Sequence, residues 1–422
     1  MKLRSWGVSD IGRRRAHNED YFLIDEALSL FVVADGMGGL DRGDIASRMA
    51  CERVREHVFK QQSVVETFRA DQSLQAREKV LAMLEAAVLQ ACSEIFALAD
   101  QHQGRGMGTT LEVLMLCDGV GFTAHVGDSR IYLFRSSRVH QLTEDHSLVQ
   151  EKVKQGLLTR EEARTARRRN VITRAVGVLP TVKVDTLAFE VDASDCFLLC
   201  SDGLHQYFSD QDLQDTVVEL PREEAAGTLV EAANERGGTD NITAVFIEVV
   251  TSIPREFWDK STVKMETLSR MALFRYLNYR ELVAVSGIAD YRSVPSGQVL
   301  FREGDEGDEL YLLLSGRVSI IKAKTVIVTL EAGDHFGEMA LLDQPKRSAH
   351  AVVEREAAFL VIRRTDFYTL MKRNSVLAVK LLWNILLTLS ANLRSTSEQL
   401  AQEGGGSLPQ VPQELAEWLN NS

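Results

Sequence analysis

The stretch Leu30-Phe31-Val32-Val33-Ala34-Asp35-Gly36-Met37-Gly38-Gly39 decides the fold of this chain. Five apolar residues in a row read as a strand, and the carboxylate at its end precedes glycines that let backbone and ions approach closely. Three further motifs share this grammar over about 220 residues: Asn18-Glu19-Asp20, Ser201-Asp202-Gly203 and Gly238-Thr239-Asp240-Asn241. In each, a carboxylate beside Gly or a small polar residue borders an apolar run. Carboxylates gathered from several strand ends repel one another unless a dication sits among them. Oxygen-only ligation, without His or Cys, fits a hard, hydrated ion such as Mg2+ or Mn2+.

Working outward, further strands are expected at Tyr21–Ile24, Leu111–Cys117, Gly121–Val126, Ile131–Arg135, Cys196–Cys200 and Ala244–Val249. Helices are expected at Gly43–Phe59 and Gln72–Gln101, where apolar residues recur every three or four positions. Strands outnumber helices and short turns join neighbours, which favours antiparallel sheets covered by helices. A polar, Arg-rich piece between about 146 and 170 reads as a surface flap, with one helix ending at Gly156 and another opening at Thr159 with Glu162. Residues 251–264, with Pro254 and mixed charge, read as a linker. Beyond them a helical stretch, Leu268–Ser286, leads into glycine-punctuated short strands such as Leu310–Leu314 and Val318–Lys322, the pattern of a small barrel or jelly roll. An amphipathic helix at Ser375–Arg394 carries Leu377, Leu381, Ile385, Leu389 and Leu393 on one face, and 397–422 begins a flexible tail at Gly404-Gly405-Gly406-Ser407.

The bulk properties narrow the function. With 422 residues the chain exceeds one ordinary core, so two domains are expected. A net charge of −12 argues against non-specific nucleic-acid binding. The five cysteines lack metal-type spacing and read as reduced thiols, with Cys196 and Cys200 buried beside a strand. Met1–Asp10 has no apolar signal region, and the apolar run near Leu381–Leu389 is too short to span a bilayer, so a cytoplasmic protein without membrane contact is expected.

Chemically, Asp35 is placed to bridge two ions, with Asp202 and Asp240 completing the first and the Gly36 carbonyl joining the second. Two dications about 4 Å apart would share a water, lower its pKa and aim it at phosphorus. Arg15 would clamp the phosphate oxygens in bidentate fashion. Positioning and charge neutralisation do most of the work in such transfers.

These motifs, in this order, resemble the metal-dependent protein phosphatases, the type 2C serine/threonine family, over about residues 3–250. The supporting sequence also includes Asp10-Ile11-Gly12, Gly106-Met107-Gly108-Thr109-Thr110, Val126-Gly127-Asp128-Ser129-Arg130 and Asp145-His146. The resemblance implies an α+β fold, a four-layer α-β-β-α sandwich in residues 1–250, holding two or three Mg2+ or Mn2+ ions. It puts Asp35, Asp202 and Asp240 directly on the ions, with the Gly36 carbonyl. Asp20 and Glu19 would act close by, through coordinated water; Asp128 would hold a third, weaker ion, and Arg15 the phosphate of a phosphorylated protein substrate. Three positions depart from the family. Met37 stands where many members carry a His proposed as general acid, Leu40 replaces a frequent His, and His125 a frequent Asn.

In the second half, Phe336-Gly337-Glu338-Met339-Ala340-Leu341-Leu342 and Arg347-Ser348-Ala349 combine a helix start for an anion, a fixed positive charge, a hydroxyl and an acceptor for a sugar hydroxyl. A structural ion pair between Glu338 and Arg347 is the bland alternative. Residues 265–396, with Phe301-Arg302-Glu303-Gly304-Asp305, Gly316-Arg317-Val318 and Gly333-Asp334, resemble the cyclic-nucleotide-binding domain of the catabolite activator protein and of cyclic-nucleotide-dependent kinases. That resemblance implies a β jelly-roll barrel with flanking helices whose phosphate-binding cassette is 336–349, including Gly337 and Ser348, with Glu338 on the ribose hydroxyl and Arg347 on the cyclic phosphate. Because cAMP-binding bacterial relatives carry Ser at the position of Ser348 and cGMP binders often carry Thr, the resemblance leans toward cAMP. The chain is therefore expected to be a cyclic-nucleotide-regulated phosphatase, with a nucleotide-sensing pseudophosphatase scaffold as the competing reading and a homodimer through the 265–396 helices as a further possibility.

Overall fold

The computed structural model describes residues 1–38, 42–101, 106–159, 162–163, 166, 171–250, 264–342 and 346–403. The chain divides into two compact units, Met1–Met265 with Asn278–Ala289, and Glu266–Leu277 with Asp290–Ser422.

The first unit is built on two antiparallel sheets. One runs β1 (Lys2–Asp10), β11 (Ile242–Val250), β10 (Cys196–Cys200), β7 (Arg130–Arg135), β8 (Arg138–Gln141). The other runs β2 (Asp20–Asp25), β3 (Leu30–Gly38), β5 (Leu111–Cys117), β6 (Val120–Val126), β9 (Asp185–Glu190), with β4 (Met107–Thr109) on β3. Strand periodicity explains the layers. Along β3, Leu30, Val32 and Ala34 face a cluster with Val54 of α1 (Gly43–Lys60), Phe68 of α2 (Gln62–Ala70) and Leu84 and Ile95 of α3 (Leu74–Gln101). Phe31 and Val33 point the other way, into the space between the sheets, with Leu114, Ile131, Phe197 and Val245. On the far side Tyr132, Leu198 and Phe246 pack on Leu204, Leu213 and Leu229, from α5 (Asp202–His205), α6 (Asp210–Glu219) and α7 (Ala225–Glu235). The order is α-β-β-α. Because both faces of the central strands are covered, β5, β6 and β10 are buried at every position, the polar Glu112, Thr123 and His125 included.

Of the flap, α4 (Leu148–Lys154) and the reciprocal Thr159–Glu162 cap are formed; Arg167–Arg169 lie outside the described residues. One helix, Leu74–Asp100, is long and apolar enough to cross a membrane by length and composition, contrary to the expectation that no segment would be. Its residues Val80, Leu84, Val88 and Ile95 are fully buried in the first cluster.

The expected helix Leu268–Ser286 is broken. A 3-10 turn at Ala272–Phe274 precedes Asn278, whose side chain caps α8 (Tyr279–Gly287) in a capping box with Glu281. Residues 278–289, assigned from sequence to the second domain, pack with the first unit instead. Val283 joins the core between the two sheets, and Tyr279 and Ala284 pack against it. Lys264, expected in the linker, is likewise buried and paired with Glu190 at 3.1 Å. The remaining linker residues lie outside the described ones.

The second unit holds β12 (Ala289–Val294), β13 (Val299–Phe301), β14 (Glu309–Lys322), β15 (Thr325–Glu331), β16 (His335–Phe336) and β17 (His350–Arg363). They make a six-stranded antiparallel sheet whose hydrogen-bonded path, among the described residues, is not a closed barrel. The pairing of β14 with β17 shifts register around Gly316, which takes φ +96°, so these 14-residue strands bend as a jelly roll requires. α9 (Met339–Leu342), α10 (Arg364–Arg373) and α11 (Ser375–Glu403) complete the unit. Leu377, Leu381 and Ile385 of α11 are buried as expected, whereas Leu393 is 68% exposed. The Gly404 tail lies outside the described residues.

Candidate functional site

The carboxylate motifs meet at one end of the paired sheets. Asp20 and Asp35 are direct register partners across β2 and β3. Asp35 is held by its own backbone: its N–H donates to Thr110 Oγ1 at 3.0 Å, and its carbonyl accepts from Thr110 N–H at 2.9 Å and Thr109 Oγ1 at 3.0 Å. The next residue must be glycine. A Cβ on Gly36 would lie 2.2 Å from the Gly43 carbonyl and 2.4 Å from that of Glu19. This close approach brings the first turn of α1 against β3, and there Gly43 N–H donates to Glu19 Oε1 at 3.0 Å.

From the other sheet, Asp202 opens α5 directly after β10. A Cβ on Gly203 would lie 1.9 Å from the Asn241 carbonyl and 3.4 Å from Asp240 Cβ, so the Ser-Asp-Gly motif is pressed against the Asp-Asn motif. Ser201 Oγ donates to Asp20 Oδ2 at 2.7 Å and accepts from Thr243 N–H at 3.0 Å, joining the two sheets at the site. Asn241 ties down the loop that carries Arg15. Its amide donates to the carbonyls of Ile11 and His17, and its oxygen accepts Glu19 N–H at 2.9 Å. Arg15 Nη2 donates to Asp240 Oδ2 at 2.7 Å, with the Arg15 side chain 49% exposed.

The electrostatics show what these carboxylates do to one another. Burial, opposed by hydrogen bonds from Ser201 and Thr243 and reinforced by the charges of Asp202 and Asp240, pushes Asp20 up to about 7. Asp35 is held well above its ordinary range by burial, then by Asp20, Asp202, Asp128 and Asp240. Asp128, 8% exposed, rises through burial and the charges of Asp202 and Asp145. Asp20 Oδ1 is buried without a hydrogen-bond partner. Among the described residues, no three carboxylate, imidazole or thiolate groups close on one point as a ready-made cage. The acidic groups are near enough to raise one another's pKa values. The oxygen donor set and the orphaned Asp20 oxygen fit a hard dication.

Asp128 sits on a loop whose Gly127 takes φ +124°, where a Cβ would lie 2.5 Å from Thr110 Cβ. His205 Nε2 lies 2.9 Å from its carbonyl. Arg130 grips Asp145 in bidentate fashion at 2.9 and 2.7 Å. His125, at the family's frequent Asn position, is buried with its Nδ1 2.6 Å from Glu112 Oε1. Met37 lies on β3 opposite Gly108, while Gly39 and Leu40 lie outside the described residues. Sequence reasoning quoted Ser201 and Asn241 but gave them no role, and missed His205 on Asp128. Only the structure supplies their contacts.

In the second unit, Arg347 is 8% exposed and lies over the Phe301 ring, 4.1 Å from its centroid. Its Nη2 donates to the Glu309 carbonyl at 3.0 Å, and its Nε is buried without a partner. Cβ atoms on Gly307 and Gly337 would lie 2.1 and 2.7 Å from this guanidinium, so both glycines make room for it. Burial lowers its pKa. Among the described residues Arg347 makes no ion pair with Glu338, and the carboxylates whose charges bear on it are Glu309, Asp308 and Asp305. Glu338 is partly exposed and Ser348 exposed.

A protein with this sandwich and this acidic end is a phosphoester hydrolase of the metal-dependent protein phosphatase class, carrying an appended nucleotide-type domain. The sequence profile of the Protein phosphatase 2C family matches residues 9–234, and that of the Cyclic nucleotide-binding domain matches 291–374. The chain is 37% identical over 246 residues to protein phosphatase PhpP of Streptococcus pneumoniae, covering 57% of this chain and 96% of that one. Its structure resembles the Mycobacterium tuberculosis serine/threonine phosphatase PstP/Ppp, at 33% identity and a TM-score of 0.52, over 59% of this chain and 99% of that one. It also resembles the PstP catalytic domain in complex with two manganese ions, at 34% identity and a TM-score of 0.50, over 59% and 99%. This chain belongs to the protein phosphatase 2C family and is a metal-dependent serine/threonine phosphatase with a cyclic-nucleotide-binding domain.

Proposed function

We propose that the protein hydrolyses phosphoserine and phosphothreonine monoesters at the acidic end of its paired sheets, under control of a cyclic nucleotide held by the second unit. The observation that carries the first part is the carboxylate cluster, in which Asp20 and Asp35 are driven toward the neutral form by burial and by Asp202 and Asp240. Such a cluster is costly without cations and suited to holding them. Asp35, Asp202, Asp240 and the Gly36 carbonyl would hold two Mg2+ or Mn2+ ions, Asp20 and Glu19 would orient water around them, and Asp128 would serve a third. When bound, the ions supply an activated water and neutralise charge on the phosphate. Arg15, half exposed beside Asp240, orients the phosphate by bidentate N–H donation.

For the second part, Arg347 is a buried guanidinium with an unpartnered Nε, which suits a cyclic phosphate; Glu338 would take a ribose hydroxyl, and Ser348 favours cAMP over cGMP. The five free, buried cysteines support a reducing, cytoplasmic location. The test is hydrolysis of p-nitrophenyl phosphate and of a phosphothreonine peptide with Mn2+, against EDTA and against Asp35→Asn and Asp240→Asn. Equal turnover in all conditions ends the catalytic reading and leaves the pseudophosphatase scaffold. Adding saturating cAMP or cGMP should change activity by the equivalent of about 1–3 kcal/mol of coupling. If neither nucleotide alters activity or melting temperature, the regulatory reading fails.

A further inference from the structure

Helix α8 lies outside both matched segments, 9–234 and 291–374, yet it is packed into the phosphatase unit. Its Arg280, 17% exposed, reaches two carboxylates at once: Nη1 donates to Glu144 Oε2 at 3.1 Å and Nη2 to Asp185 Oδ2 at 3.2 Å. Neither carboxylate is a site residue, but both belong to a frame around one. Asp185 also pairs with Arg174 at 2.9 Å and lies 3.4 Å from His146 Nε2. Glu144 also takes Lys154 of the flap helix at 3.0 Å, while its carbonyl lies 2.8 Å from His125 Nε2.

The next two residues of that segment hold the Asp128 loop from both sides. His146 clasps Gly127 twice: its N–H donates to the Gly127 carbonyl at 2.7 Å, and its Nδ1 accepts Gly127 N–H at 3.1 Å. Asp145 holds Arg130 in bidentate fashion. Residues 144–146 are therefore a strut, fixed to the Gly127–Arg130 loop on one side and to Arg280 on the other. The same strut anchors the flap, since Leu148 N–H donates to the Val171 carbonyl and Thr173 N–H to that of His146.

We propose that Arg280 is a positioning residue of the phosphatase site: through Glu144, Asp185 and His146 it fixes the loop that presents Asp128. The proposal rests on the reading of Asp128 as an ion-holding residue. In the sequence α8 ends at Gly287, and β12, the first strand of the cyclic-nucleotide-binding sheet, begins at Ala289.

The test uses the full chain with Arg280→Met, Arg280→Lys and, as a packing control, Val283→Ala, whose side chain lies in the inter-sheet core. Hydrogen exchange is read by peptide in EDTA, so the first readout needs no bound ion. Arg280→Met should speed exchange in peptides spanning 122–148 by about tenfold, leaving those over Asp35 and Asp202 as in the wild type. Arg280→Lys should recover part of the protection. Val283→Ala should lower the melting temperature without that local change. The second readout is the Mn2+ activation curve with p-nitrophenyl phosphate, whose half-saturation should rise about tenfold in Arg280→Met, more than kcat falls. Unchanged exchange in 122–148, or acceleration spread evenly over the unit as in Val283→Ala, overturns the positioning role. A wild type without Mn2+-dependent turnover would sink the catalytic reading instead, and the exchange map would still decide whether Arg280 holds the loop.

Discussion

Removing divalent cations should leave the phosphatase unit carrying an acid-sensitive strain that Asp20→Asn relieves. Burial, moderated by Ser201 and Thr243 and increased by Asp202 and Asp240, pushes the Asp20 carboxyl from 3.8 up to about 7. At about 1.4 kcal/mol per pH unit, that difference corresponds to about 4 kcal/mol. The folded chain holds this proton more tightly than the unfolded chain. Its stabilising contribution is therefore fully present below about pH 4 and is lost as pH rises through about 7. Asp35 and Asp128 are displaced in the same direction, so they steepen the slope.

Calorimetry of the full chain in EDTA, between pH 5 and pH 8, reads this directly. For a unit of this size about 4 kcal/mol is roughly 8 °C, so the phosphatase transition should fall by several degrees across the window. Asp20→Asn should flatten the fall, because an amide oxygen still accepts from Ser201 Oγ while the charge is gone. Mn2+ should reverse the wild-type slope, since the ion favours the anionic form, and should stabilise Asp20→Asn less. A wild-type transition in EDTA that is level or rises with pH would refute the account of a strained carboxylate cluster, as would Asp20→Asn keeping the full slope.

Gly36→Ala should abolish Mn2+-dependent turnover and cost about 1–3 kcal/mol in a denaturant titration, because its Cβ meets two backbone carbonyls that cannot yield as a side chain would. Arg347→Met should remove the thermal shift produced by cAMP while keeping the turnover seen without nucleotide; a retained shift would place the nucleotide elsewhere. Breaking the buried Arg135–Asp195 pair, bonded at 2.9 and 2.6 Å, with Asp195→Ala should destabilise the phosphatase unit by about 3–5 kcal/mol, because it leaves the guanidinium without its main partner. Circular-dichroism melts check that figure.

The parts of this fold that were legible in the sequence are those whose physics is local. β3, β5 and β10 announce themselves as largely apolar runs because helices or the opposite sheet cover both faces, and α1 and α3 carry their period openly. β1 did not, because Lys2–Asp10 is an edge strand with only partial burial, and its polar residues mask the alternation that sets Trp6 and Val8 against α7. β9 was missed and α8 assigned to the wrong domain for a different reason. Each is placed by partners far away in sequence, Arg280 by a carboxylate 136 residues earlier, and no window of residues contains that information.

The catalytic end was readable from sequence for a reason the glycines explain. At Gly12, Gly36 and Gly203 a Cβ would strike the backbone of another motif: the Asp240 carbonyl at 2.1 Å, the Gly43 carbonyl at 2.2 Å and the Asn241 carbonyl at 1.9 Å. Crowding of this kind permits only one residue type, so the long-range geometry of the site is imprinted locally as Asp-Gly and Ile-Gly pairs. Gly307 and Gly337 leave a related mark, making room for the Arg347 guanidinium rather than for backbone, and the strut at 144–146 shows in the sequence through Asp145-His146 and its partner Gly127. Visibility in the sequence therefore marks where a Cβ has no room, whereas the contacts of Arg280 with Glu144 and Asp185 are made by long side chains and leave no glycine behind.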